Sequence, residues 1–126
     1  MKKSLIIFCL FFVCIISSII SHIDCKNRCV HIIEKTKLIQ TKLEKNDIKT
    51  FLDETENLKK TWAKYEKILR IYLKRKNLEE IEKEIVNLKS NSESLELKET
   101  KKNLKQIKRL CEDSIKETKP SITNII

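Results

Sequence analysis

The sequence predicts an all-α protein: an N-terminal membrane helix followed by an up-down bundle of three to four amphipathic helices. Three observations predict it. Residues 4–21 carry no formal charge and read SLIIFCLFFVCIISSIIS. The remainder is written largely in Lys, Glu, Leu, Ile and Asn, with apolar residues recurring at steps of three and four, the spacing of one helix face. Glycine is absent from all 126 residues, which removes the residue that most readily supplies the positive φ of tight β-hairpins. The same absence excludes the Gly-rich cradles of phosphate-binding loops.

Three stretches follow from this: a signal anchor or signal peptide at 1–24, a helical bundle at 25–119 and a C-terminal tail at 120–126. As a helix, residues 4–21 would span about 27 Å at 1.5 Å per residue, close to the ~30 Å hydrocarbon thickness of a bilayer. A cleaved signal peptide has a shorter apolar core of about 7–15 residues and small residues at the cut. Ser17, Ser18 and Ser21 are available for cleavage, but the stretch has no Ala or Gly. The uncleaved anchor is the better fit, with residues 4–23 in the membrane. Lys2 and Lys3 hold the N-terminus inside under the positive-inside rule. In both readings the bundle lies outside the cytoplasm: attached to a single-pass membrane helix, or secreted if the signal is removed.

The first bundle helix is expected from about Asp24 to Lys45, with Cys25, Cys29, Ile32, Thr36, Ile39 and Leu43 on one face. Asn46 or Asp47 caps the second. Its stripe is Phe51, Thr55, Leu58, Trp62, Tyr65, Leu69 and Tyr72, an alternation of four and three that matches a coiled-coil-like seam. Its expected length is about 43 Å. Asn77 and Glu80 have the spacing of a capping box for a third helix of about 20 Å, faced by Leu78, Ile81, Ile85 and Leu88. Ser90 to Ser94 read as a turn. The fourth helix runs from about Leu95 to Thr118, with Leu97, Leu104, Ile107, Cys111 and Ile115 inward, and Pro120 ends it. Such unequal lengths leave part of the long seam uncovered, for a second copy or for another membrane or envelope protein.

The stretch from Glu54 to Ile126 resembles an uncharacterised bacterial family of membrane-anchored helical chains, domain of unknown function 4363. The resemblance is carried by TWAKYEKILRIYL (Thr61 to Leu73), by NLEEIEKEIVNLK (Asn77 to Lys89) and by the ending KPSITNII (Lys119 to Ile126). It implies architecture and location. It implies no activity and no site residues.

Five cysteines bear on chemistry. Cys9 and Cys14 lie in the apolar run and act as small hydrophobes. Cys25 and Cys29 are one helical turn apart and face the same way. In an up-down bundle the end of the last helix returns beside the start of the first, which sets Cys111 at the height of Cys29. A Cys29–Cys111 disulfide is therefore geometrically possible, with Cys25–Cys111 second, while free buried thiols on the core faces are the favoured reading. His22, Cys25, Cys29 and His31 have zinc-ligand chemistry, but Cys29 and His31 are two apart and point to different helix faces. No metal and no cofactor is expected.

The formal net charge is +9, which favours anionic partners. Lys98, Lys101, Lys105 and Lys108 form a stripe on the fourth helix, with Lys102 and Arg109 beside them. It reads as a solvated face, or as a contact for anionic lipid or a cell-envelope polymer. Nucleic acid is not expected, because export separates the domain from it and no Gly-aromatic RNA-binding motif is present. Trp62, Tyr65 and Tyr72 are in register with the seam and read as core. Glu79, Glu80, Glu82 and Glu84 sit on a helix surface, without the cleft that separates the pKa values of catalytic carboxylates. With only His22 and His31 as candidate bases, the chain reads as non-enzymatic: a structural or protein-interaction module, or alternatively a binder of anionic surfaces.

Overall fold

The structure, a computed structural model, describes residues 2–118. Pro120 and the KPSITNII ending lie outside the described residues. Four helices follow one another: α1 (Lys2–Glu44), α2 (Ile48–Leu69), α3 (Arg75–Glu93) and α4 (Leu97–Thr118). α1 packs on α2 and α4, and α3 packs on the same two. The bundle is thus a four-membered ring with alternating directions, the all-α up-down architecture expected from the short connections.

α1 has 43 residues, about 65 Å at 1.5 Å per residue. The membrane stretch and the first bundle helix, read from sequence as adjoining segments, are one unbroken helix. The boundary at residue 24 falls inside it, where Ile23-Asp24-Cys25-Lys26 contains neither Gly nor Pro to stop the hydrogen-bond ladder. The expected face holds, with Cys25, Cys29, Ile32, Thr36, Ile39 and Leu43 all buried.

The second helix is shorter than expected. Asp47 caps it as read, its carboxylate accepting from the Thr50 N–H at 3.4 Å. But α2 has 22 residues, about 33 Å instead of 43 Å. The chain turns at Arg70–Lys74, tightened by hydrogen bonds from Ile71 to Ile68 and from Tyr72 and Leu73 to Leu69. No Gly or Pro marks this turn. Burial of Leu73 and Leu78 folds the chain back onto the core, and that packing outweighs the helix propensity of the local sequence.

α3 is longer than expected, with 19 residues. It starts at Arg75 after an extended Lys74 that makes no side-chain cap. Asn77 forms no capping box; its amide donates to a Glu117 carboxylate oxygen on α4. The serine-rich stretch read as a turn is the last helical turn instead. Ser92 is buried, and its hydroxyl donates to the Lys89 carbonyl at 2.7 Å. The actual turn comes at Leu95, with φ at 55°, where the N–H groups of Leu95 and Glu96 return to the carbonyls of Ser92 and Asn91. α1 ends the same way at Asn46, φ 57°. Both are Schellman-type ends made without glycine. Asn tolerates the left-handed region; Leu pays about 1 kcal/mol there.

Residue counts of 22, 19 and 22 make the bundle helices nearly equal, so the expected uncovered seam is absent. Phe51, Thr55, Leu58, Trp62 and Leu69 are buried within the one chain, and Tyr65 and Tyr72 are half-buried. On α4 the expected face is right for Leu104, Ile107 and Cys111, with Ile115 partly buried. Leu97 is 40 % exposed, because the start of α4 turns Thr100 inward instead.

Polar groups in this core are satisfied locally. The hydroxyls of Thr36, Thr55, Thr100 and Ser114 donate to carbonyls three or four residues earlier at 2.6–2.9 Å. Asn103 joins α4 to α3 by accepting from Asn91 at 2.7 Å and donating to Glu84 at 2.9 Å. Among the described residues Trp62 is the exception: its indole Nε1 is buried without a hydrogen-bond partner there.

Candidate functional site

The N-terminal half of α1 stands clear of the bundle. Leu5 to Val13 and Ile16 to Ile23 expose their large apolar side chains, and this part of the helix is long and apolar enough to cross a membrane. A row of uncovered Leu, Ile and Phe of that length is a liability in water and a match for lipid.

Where α1 enters the bundle, a small polar cluster forms. Asp24 and Arg28 pair at 3.2 Å across one helical turn. The Arg28 guanidinium lies 5.1 Å from the centre of the Tyr65 ring, a cation–π distance. His31 shares a short hydrogen bond between its Nδ1 and the Tyr65 hydroxyl. These contacts fix the register of α1 against α2. They also give Tyr65, read from sequence as seam only, a second role at the edge of the core. An arginine and a histidine on α1 facing an aromatic of α2 had no periodic signature that could have announced them.

The three bundle cysteines meet at the same end. Cys25, Cys29 and Cys111 are buried. A side-chain hydrogen bond with Cys25 raises the Cys29 pKa most, followed by burial and the nearby Cys111 and Cys25 groups. Burial pushes Cys111 up to about 12, with smaller contributions from Glu112 and Cys25. The folded chain therefore holds Cys29 and Cys111 as protonated thiols at neutral pH. Cys29 and Cys111 carry no disulfide. Among the described residues, no group of three His, Cys, Asp or Glu side chains is placed to hold a metal ion. His31 faces Tyr65 rather than the thiols.

The basic stripe lies on the outer face of α4. Lys98, Lys101 and Lys105 are exposed and, among the described residues, have no ion-pair partner. Lys108 approaches Glu112 at 4.0 Å, Lys102 approaches Glu99 at 3.6 Å and Arg109 approaches Asp113 at 4.0 Å. Between α2 and α3, a cleft of about 510 Å³ is lined by Glu66, Arg70, Leu73, Arg75, Leu78, Glu79 and Glu82. Its guanidinium and carboxylate groups are largely matched to each other: Arg70 with Glu66 at 2.5 Å and Arg75 with Glu79 at 2.9 Å.

These features define a class: an up-down four-helix bundle continuous with an apolar helix long enough to cross a membrane. The family whose model matches the chain is described as Domain of unknown function (DUF4363), over residues 19–125. The chain belongs to this family. The match begins at Ile19 and so takes in the bundle half of α1, well before the resemblance that starts at Glu54. No curated protein and no solved structure matches the chain.

Proposed function

We propose that this protein is a non-enzymatic, membrane-anchored structural or protein-interaction module, with its bundle outside the cytoplasm. The observation that carries the proposal is the continuity of α1: one helix is lipid-compatible over its first half and core-forming over its second. Such a helix would hold the bundle at a fixed height and angle on the membrane, with no flexible linker between them. Lys2 and Lys3 favour an inside N-terminus, while Lys26 and Arg28 on the far flank oppose it. Orientation is therefore the first point to test. Protease added to intact spheroplasts should digest the bundle; complete protection would place the bundle inside and overturn this part of the reading. Crosslinking in the native cell, followed by mass spectrometry, should recover a discrete membrane or envelope protein, or a second copy of the chain. A chain that remains monomeric and uncrosslinked would count against an interaction role.

A second reading has its own observation: among the described residues, Lys98, Lys101 and Lys105 are unpaired. In this reading the α4 stripe, completed by Lys108, binds an anionic cell-envelope polymer. Lys98 lies 13 residues before Cys111, hence about 20 Å further from the apolar half of α1 at 1.5 Å per residue. That exceeds two Debye lengths of about 8 Å at physiological salt, so the Lys98 end of the stripe is better placed for a polymer than for the bilayer holding α1. Reversing Lys101, Lys105 and Lys108 to Glu should abolish polymer binding; unchanged binding would remove this reading.

A further inference from the structure

The turn between α2 and α3 carries an unexplained side chain. Ile71 is 76 % exposed, the highest exposure among the large apolar residues described, those of the apolar half of α1 included. Around it stand exposed Arg70, Lys74, Arg75 and Lys76, with half-buried Tyr72. Among the described residues, Lys74 and Lys76 have no ion-pair partner. An isoleucine at the tip of a turn, ringed by bases and next to a tyrosine, has the composition of a bilayer interface contact: apolar tip inward, aromatic at the headgroups, bases at the phosphates.

The register of the bundle sets this turn at the right height. Tyr65 is level with Arg28 and His31 of α1. α2 runs antiparallel to α1, so Ile71, six residues further on, is level with about residues 22–25. That is where the apolar half of α1 ends. Taken from Ser4 to Ile23, that half spans about 30 Å, the thickness of the hydrocarbon core. If α1 crosses the membrane, Ile71 reaches the same boundary from the bundle side.

We propose that the α2–α3 turn is a second membrane contact. Ile71 inserts into the interface of the bilayer crossed by α1, and Lys74 and Lys76 bind anionic phospholipid headgroups, while Arg75 stays paired with Glu79. The contact rests on the anchor reading. It would hold the bundle upright at two points instead of one, and its basic residues make it selective for anionic lipid. Each Lys or Arg close to an anionic surface strengthens association about fivefold.

The test places a single indole at either contact of the full chain, in phospholipid nanodiscs. Trp62→Phe supplies the background, since the Trp62 Nε1 makes no hydrogen bond. Ile71→Trp reports on the turn and Phe11→Trp on the middle of the apolar half. Nitroxide lipids labelled high or low on the acyl chain serve as quenchers. The expected result at position 71 is about a twofold loss of fluorescence with the high label in anionic discs. Lys74→Glu with Lys76→Glu, or discs of zwitterionic lipid, should remove most of it. Quenching by the low label at position 11 without quenching at position 71 would overturn the turn contact while leaving the anchor intact. A blue-shifted but unquenched indole at position 71 would mean that protein covers it, which also overturns the proposal. Absence of quenching at both positions would remove the anchor reading and the contact together.

Discussion

The two halves of α1 are built from similar apolar residues and end in opposite environments. In the first half, Leu5, Ile6, Ile7 and Phe8 are all more than half exposed, on every side of the helix. In the second, Cys25, Cys29, Ile32, Ile39 and Leu43 are buried on a single stripe, with Lys26, Glu34 and Lys37 exposed. The difference lies in distribution around the helix. An apolar surface all round the helix asks for lipid; one apolar stripe asks for other helices. Because no break separates the halves, whatever fixes one in space fixes the other.

Four perturbations break or sharpen this contrast. The largest effect belongs to the bundle: Phe51→Ala, at a fully buried site on the α2 seam, should cost about 4 kcal/mol. Chemical denaturation of the detergent-solubilised chain, followed by circular dichroism, reads it, and membrane partition should not change. Next comes the reverse case. Val13→Arg in the middle of the apolar half should disfavour insertion by about 3 kcal/mol, moving chain to the soluble fraction while the bundle melts as before.

The thiols supply a third, pH-dependent test. Cys29 and Cys111 have raised pKa values in the folded state, so the folded chain keeps its protons where the unfolded chain loses them. Their contribution is complete below the ordinary thiol value of 9.0 and is lost as pH rises beyond it, up to about 12 for Cys111. The cost is about 1.4 kcal/mol at pH 10 for each such thiol. The drop in stability from pH 8 to pH 10 should be smaller by that amount in Cys111→Ala. An intact mass under non-reducing conditions adds a direct check, since a Cys29–Cys111 disulfide would lower it by two hydrogens. The smallest effect is expected at Asn103→Ala, which removes the bridge to Asn91 and Glu84 between α3 and α4, at about 1 kcal/mol. Val13→Arg and Asn103→Ala are far apart and should add without coupling.

Much of this architecture was legible in the residues. The charge-free run, the α1 stripe, the Asp47 cap and the faces of α3 and the middle of α4 follow from helical periodicity, which depends on sequence spacing alone. The connections were harder. The turn at Arg70–Lys74 has no Gly or Pro, and it forms because Leu73 and Leu78 gain burial by folding back. Ser90, Ser92 and Ser94 have turn chemistry, yet Ser92 sits in a helix because its hydroxyl finds the Lys89 carbonyl. Asn77 has capping chemistry but a better partner in Glu117. At the Arg70–Lys74 turn and at Asn77 a tertiary contact overrode a local preference, whereas Ser92 is held by a bond within its own helix; with nearly equal helix lengths the expected free seam closed. The meeting of Cys111 with Cys25 and Cys29 could be argued from chain direction and rise per residue. The basic turn around Ile71 could not, since its height depends on where α2 stops.

The central claim is that α1 remains a single helix with its first half in the membrane. Alkaline carbonate extraction of native membranes, followed by intact mass measurement, tests it most directly. The account predicts that the chain stays in the membrane pellet at its full mass of 15.0 kDa. A soluble chain shortened near Ser21 would contradict it, leaving the bundle without its anchor.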